Sequence, residues 1–262
     1  VMVVSFVNTG LLSLAGAIAV VMGANIGTTV TSWIILLGFG GSGEKFLFPL
    51  VVIALALPFM MMKRDKMKSL SEFFIGFGTL LIGLQFLQDA MPDLSQNQAF
   101  LEAMSQWSGW GYLSILVFIV IGALLTVILQ ASSAVMAITM VMCARGWIGF
   151  DMAVAIIMGQ NIGTCLTVFF ASVGGKRRAG QVAWAHLLFN VVSSSVILLL
   201  LEIVKFFSFT DILQQTVGFV GIAAIHTVFN LIGAVIFLPR SDGLATVVER
   251  LTAHLPSGSA NR

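Results

Sequence analysis

From Val1 to Gly43 the chain carries no charged residue, and between Leu94 and Ala144 its one charged side chain is Glu102. A soluble domain is roughly 25% charged, and stretches this long without charge are solvated by lipid, where only internally hydrogen-bonded segments survive. Hydrophobic residues make up 58% of the 262 and charged ones 9%, with a mean hydropathy of +1.04. The net charge of +2 is too small to recruit nucleic acid. The fold class this implies is an all-α polytopic membrane protein, with membrane lipid as its solvent.

Five runs read as complete spans: 46–62, 70–88, 112–129, 181–201 and 216–238. Each approaches the 17–25 apolar residues that cross the hydrocarbon. Two further stretches, 1–38 and 130–174, are apolar but interrupted by Gly, Asn, Ser and Thr, and read as broken or re-entrant helices. Basic residues set the orientation. Lys63, Arg64, Lys66 and Lys68 share one short loop, Lys176, Arg177 and Arg178 another, and Arg240 and Arg250 follow the last span; the positive-inside rule makes all three cytoplasmic. Loops 89–111 and 202–215 are then external, with Lys205 as the one misplaced charge. Trp107, Trp110 and Tyr112 sit where an interfacial aromatic belt is expected.

Residues 16–34 and 152–170 align without gaps at an offset of 136, with nine of the 19 pairs identical. Met22-Gly23-Ala24-Asn25-Ile26-Gly27-Thr28 matches Met158-Gly159-Gln160-Asn161-Ile162-Gly163-Thr164, and Thr31 matches Thr167. Parity makes the first copy end outside and the second inside, so the copies run oppositely. Two inverted-topology repeats with broken or re-entrant helices are the architecture of many secondary transporters. The expected organisation is 1–43 as the later part of the first repeat motif, 44–111 as connecting spans and external loop, 112–240 as the second repeat with its following spans, and 241–262 as a cytoplasmic tail in which 256–259 looks disordered.

A helix-breaking Gly beside amide and hydroxyl groups, as in Asn25-Ile-Gly27-Thr28 and Asn161-Ile-Gly163-Thr164, offers oxygens to a small cation and N–H groups to an anion. The competing reading is tight helix packing through small residues. Gln130-Ala131-Ser132-Ser133 separates two apolar segments, and its neutral groups can donate to an oxyanion or coordinate a hard cation; interhelical glue is again the alternative. His186-Leu-Leu-Phe-Asn190 and His226-Thr-Val-Phe-Asn230 put His and Asn on one helix face and read first as bonded pairs holding helices together. Ser193-Ser-Ser195 reads as packing, and Cys143 and Cys165 as buried thiols without disulfide or metal spacing. Glu44, Asp151 and Glu202 fall near span ends. No phosphate-binding GxxxxGK[ST], HExxH or nucleophile elbow is present, so the chain does not read as an enzyme and needs no catalytic residues or cofactor.

Gln130-Ala-Ser-Ser133, followed by Gly159-Gln-Asn161-Ile-Gly163-Thr164, resembles the type II sodium–phosphate cotransporter (Na/Pi cotransporter) family, over about residues 1–240. That family carries inverted repeats, each with a Q-S-S-S motif followed by G-x-N-I-G-T, and H-x-x-F-N recurs in it. Val1 to Gly10 resembles the stretch directly after the first Q-S-S-S; with no Met at the start and no signal-peptide pattern, an N-terminally truncated chain is the expectation. The resemblance implies sodium-driven transport of inorganic phosphate across a bacterial inner (plasma) membrane. It assigns phosphate to Gln130, Ser132, Ser133, Asn25 and Asn161. It assigns sodium, the only metal ion and the coupling ion, to Gln130, Ser132, Ser133, Thr28, Thr164 and Thr167. Ala131 departs from the pattern by removing one hydroxyl, which bears on sodium stoichiometry. Bacterial relatives often add a PhoU-like domain as a partner. Another oxyanion, phosphate efflux, or a non-transporting phosphate sensor or scaffold are the alternative roles.

Overall fold

The computed structural model describes residues 2–39, 47–91, 97, 99, 102–103, 106–107, 109–206 and 218–253. Among these the regular elements are all helical: α1 (Met2–Asn8), α2 (Leu14–Phe39), α3 (Leu47–Met60), α4 (Asp65–Ala90), α5 (Tyr112–Leu129), α6 (Ser132–Ala144), α7 (Phe150–Ser172), α8 (Arg177–Phe206), α9 (Phe219–Phe237), a 3-10 turn (Leu238–Arg240) and α10 (Ser241–Leu251). Six helices among the described residues are long and apolar enough to cross a membrane, beginning at Leu14, Asp65, Tyr112, Phe150, Arg177 and Phe219. Glu44, the 256–259 segment and most of the 202–215 loop lie outside the described residues.

The expected spans are matched by α4, α5, α8 and α9, with α5 agreeing end for end. The expected 46–62 span is the 14-residue α3, about 21 Å long at 1.5 Å per residue and short of a 30 Å hydrocarbon core. The two interrupted stretches are broken, but not at their Asn-Ile-Gly-Thr motifs. Both α2 and α7 run through those motifs without a break. A glycine inside a helix costs only about 1 kcal/mol, whereas opening the backbone in hydrocarbon strands several polar groups. The breaks lie at residues 9–13, at Gln130–Ala131 and at residues 145–149.

Two of these breaks are built alike. The N–H groups of Thr9, Gly10 and Leu11 donate to the carbonyls of Ser5, Val7 and Phe6, and those of Arg145, Gly146 and Trp147 donate to Val141, Cys143 and Met142. Every donor and acceptor is shifted by 136. Gly10 (φ 80°) and Gly146 (φ 70°) both take the left-handed turn that a Cβ would strain.

Packing sets the directions. A Cβ on Gly159 would strike Ile119 O at 1.9 Å and one on Gly163 would meet Ala123 O at 2.6 Å, so α5 and α7 run parallel in close contact and α6 returns between them. The chain from Tyr112 to Ser172 therefore makes one net crossing. At the end of the bundle rich in basic residues, the Lys176 N–H donates to Asn8 Oδ1 at 2.6 Å, and Arg178 pairs with Glu249 on α10. At the other end, Arg145 donates to Gln88 O and Met91 O, and Tyr112 donates to Glu202 at 3.1 Å. The start of α2 thus lies where α7 ends, and the two helices point in opposite directions.

Candidate functional site

The turn between α5 and α6 concentrates unusual backbone. Gln130 has φ 52° and is the one non-glycine residue in the left-handed region among the described residues. Such a position costs an ordinary residue about 1–3 kcal/mol and tends to mark functional sites. The strain buys a cap, because the Gln130 N–H donates to Thr126 O at 2.8 Å. Ala131 is the N-cap of α6 and makes no side-chain cap. The first backbone bonds of α6 run from Ala134 and Val135 to Ala131 O, so the N–H groups of Ser132 and Ser133 face outward without a backbone acceptor. An uncapped N-terminus carrying two hydroxyls is an oxyanion cradle by local geometry and helix dipole alike. Gln130 is exposed, and Ser132 and Ser133 are half-buried.

The parallel register of α5 and α7, in which Gly122 meets Ile156 and Gly163 meets Ala123 and Thr126, carries Gln130 to about the level of Thr167, nearer the basic end than the middle of the bundle. Thr164 and Thr167, with Gln160, occupy one face of α7 along the same stretch. The two hydroxyls donate into their own helix, to Gln160 O at 3.0 Å and Thr164 O at 2.7 Å, and keep lone pairs free for a cation. Thr28 does the same toward Ala24 O at 3.0 Å.

Asn25 and Asn161 make other contacts. Asn25 Oδ1 accepts from His186 Nε2 at 3.3 Å, joining α2 to α8. Asn161 is buried on α7 beneath Cys165, whose thiol donates to Asn161 O. Thr164 and Thr167 share a face of α7, Thr28 and Asn25 lie on α2 with Asn25 bonded to His186, and Asn161 lies beneath Cys165; among the described residues no hydrogen bond joins any of them to the Gln130 turn.

Each H-x-x-F-N motif clips its own asparagine and reaches into α2. Asn190 and Asn230 donate to His186 O and His226 O at 3.1 and 2.9 Å, while His226 Nδ1 bonds Ser32 Oγ at 2.7 Å. The histidines tie α8 and α9 to α2, and Asn190 ties α8 to α7 through Cys165 Sγ at 3.2 Å. Cys165 is buried as expected, but Cys143 is only half-buried. Gln160 was not singled out by the repeat, because Ala24 replaces it in the first copy. It is nonetheless 1% exposed, and neither polar atom of its side-chain amide has a partner.

These features define a multi-pass membrane protein with buried, uncharged polar side chains between its helices. The chain belongs to the Na+/Pi-cotransporter family, whose model matches residues 1–89 and 97–236. It is 30% identical over 254 residues to "Uncharacterized protein YqeW" of Bacillus subtilis, covering 92% of this chain and 75% of that one. It is 27% identical over 261 residues to "Putative inorganic phosphate export protein YjbB" of Escherichia coli, covering 97% of this chain and 45% of the relative. With human "Sodium-dependent phosphate transport protein 2B" the identity is 33% over 149 residues, 52% of this chain and 22% of the relative. The chain therefore spans less than half the length of the Escherichia coli relative. No solved structure matches it. The family is one of transporters rather than enzymes, and the apolar helices and bacterial relatives locate the chain in a bacterial plasma membrane.

Proposed function

We propose that this chain forms the membrane part of a secondary transporter that moves inorganic phosphate coupled to sodium. The observation that carries the reading is the α5–α6 turn: a strained Gln130 and an uncapped α6 N-terminus bearing Ser132 and Ser133. Phosphate meets the free N–H groups and hydroxyls of that turn. Sodium is coordinated by oxygens of the same turn with Thr164 and Thr167, and by Thr28 in the first half. The two halves act as inverted repeats. The matching breaks at residues 9–13 and 145–149, and the opposite directions of α2 and α7, support that reading. The name of the Escherichia coli relative favours export as the direction of net flux.

The test uses the full-length protein in proteoliposomes loaded with labelled phosphate. A sodium gradient is expected to drive phosphate flux, and reversing the gradient should reverse it. Equal flux in sodium and choline would remove sodium coupling, and no flux above empty vesicles would remove transport. In the same vesicles a cysteine replacing Ser69 should react with an impermeant reagent on the face opposite to one replacing Asn97. Labelling on the same face would break the inverted arrangement.

A further inference from the structure

The basic residues at the end of the bundle where α8 begins are of two kinds. Arg178 pairs with Glu249, Arg177 donates to Glu249 O at 3.3 Å, and Arg240 donates to Ile236 O at 3.0 Å. The protein itself supplies their partners. Lys63, Arg64, Lys66 and Lys68, at the turn from α3 into α4, are exposed, and among the described residues none of their side chains has a hydrogen bond or ion pair. Asp65 occupies the first turn of α4, where the helix dipole suits a carboxylate, and the next acid, Glu72, lies two turns along. Residues 63–68 thus carry four positive charges against one negative, a net of +3.

The two helices fix the depth of this turn. The far end of α4 lies beside Arg145, which donates to Gln88 O and Met91 O, so Asp65 starts α4 at the basic end. With 26 residues, α4 is about 39 Å long at 1.5 Å per residue, against about 30 Å of hydrocarbon. The surplus leaves about 4 Å, or about three residues, in the headgroup layer at each end. Exposed apolar side chains bracket the turn at that depth: Met60, Met61 and Met62 before it, and Leu70, Phe73 and Phe74 after it. Residues 63–69 are thereby held among lipid headgroups rather than out in bulk water.

The hairpin stands at the edge of the described bundle. Ser71 Oγ donates to Ala56 O at 2.7 Å, and Gly78 leaves room for Ile53 and Pro49 O. Both contacts join α3 to α4, and α3 packs little against any other described helix. Its outer faces carry exposed Leu50, Leu55, Leu57 and Phe59. Lysine stems lie along apolar surface of this kind while their heads reach for charge. A zwitterionic lipid offers a phosphate with its own ammonium beside it; an anionic lipid offers an uncompensated phosphate.

We propose that the α3–α4 turn is a binding surface for anionic phospholipid headgroups, held by Lys63, Arg64, Lys66 and Lys68. Basic residues beside a span orient a chain whether or not they are paired; four unpartnered heads at headgroup depth also attract anionic lipid. The occupant is a lipid rather than free phosphate, because the apolar side chains on both sides of the turn keep acyl chains beside it. The inference does not depend on the cargo or direction of transport.

The test reads the lipid beside the turn. Met61, 88% exposed, is replaced in a Met61→Trp reporter of the full-length protein, reconstituted in mixtures of phosphatidylglycerol and phosphatidylcholine. One lipid at a time carries brominated chains, which quench a tryptophan they touch, and the protein with Met61 intact gives the background. Each lysine or arginine near a charged surface is worth about 1 kcal/mol, or about fivefold in occupancy. At low salt phosphatidylglycerol should therefore be preferred over phosphatidylcholine at least fivefold. Combining Lys63→Gln, Lys66→Gln and Lys68→Gln leaves Arg64 balanced by Asp65 and should bring the two lipids level. Arg240→Gln should leave the preference as it was. If the triple variant does not insert, salt takes its place: from 0.01 to 1 M the screening length falls from about 30 to about 3 Å, and the preference should fall close to one. A preference that survives the triple substitution or the salt, or no preference at low salt, overturns the proposal. Inorganic phosphate added at constant ionic strength should not displace the lipid; if it does, the turn captures the free anion and the lipid assignment falls.

Discussion

The helices α2 and α7 share a motif and differ in what surrounds it. Along one face their burial is the same: Ile18 and Val154, Met22 and Met158, and Thr29 and Cys165 are all nearly inaccessible. Along the other they diverge. Gly159 and Gly163 lie against the α5 backbone, whereas Gly23 and Gly27 have nothing within 4 Å of a Cβ. Ile156 is 2% exposed and its counterpart Val20 is 48% exposed. Since both helices run unbroken through the motif, the glycines are not breaking points. In α7 they allow two backbones to touch; in α2 the same residues form an open face.

The largest effect should come from breaking that contact. Gly159→Ala puts a methyl group into a backbone carbonyl that cannot swing aside, and overpacking of this kind costs about 1–3 kcal/mol or more. At about 2–4 °C per kcal/mol, the melting temperature of the full-length protein should fall by several degrees. Gly23→Ala should hold it level or raise it, because alanine is the better helix former by about 1 kcal/mol. If the two substitutions destabilise equally, the α2 face is covered in the full-length protein and the asymmetry disappears. If Gly159→Ala is silent, α5 and α7 do not pack as described.

A second comparison sets Ser133, at the start of α6, against Ser172, at the end of α7. The first sits beside an uncapped helix N-terminus; the second donates to Phe169 O at 2.7 Å near the membrane boundary. Losing one ligand to a buried charged group costs about 1–3 kcal/mol, or about one to two decades in affinity. Ser133→Ala should therefore raise the phosphate or sodium concentration for half-maximal flux by that factor, with insertion unchanged. Ser172→Ala should not change it. Equal transport by both variants at limiting substrate would reduce the Gln130–Ser133 turn to structural glue.

These residues also show how far the sequence could be read. Long charge-free runs located α5 to the residue and α4, α8 and α9 to within a few residues, because hydrocarbon thickness fixes helix length; α2 and α7 were legible only as parts of longer interrupted stretches. The repeat was legible because Gly, Asn and Thr are costly to match by chance in an apolar background. The position of the breaks was not, because glycine in lipid serves close approach as readily as it breaks a helix. Only the α5 backbone beside Gly159 distinguishes the two uses. Gln160 escaped notice for a related reason. A buried polar atom without a partner is defined by what does not surround it, and one strand of sequence cannot show that. The link from His186 to Asn25 joins positions 161 apart, a separation that periodicity does not reach.

The smallest effect tests the cap at the basic end against the helix interior. The helix α10 crosses the starts of α2 and α8, burying Leu244, Ala245 and Val248 against Leu14, Ala17, Ile18 and Ala179. Its polar edge carries the Arg178–Glu249 ion pair, with side chains 54% and 44% exposed, and a bond from Gln181 Nε2 to Thr252 Oγ1 at 3.0 Å. An exposed ion pair is worth about 0–1 kcal/mol and is screened by salt, whereas truncating a buried leucine costs about 2–5 kcal/mol. Glu249→Gln should thus shift the melting temperature by no more than about 4 °C, and less at high salt, while Leu244→Ala should loosen α10 from the bundle. Protease accessibility of the segment after Arg240 reads this directly: it should stay protected in Glu249→Gln and open in Leu244→Ala. The reverse order would mean that the ion pair, not the apolar face, seats α10. The basic end would then be held by salt-sensitive contacts while the interior is held by backbone packing.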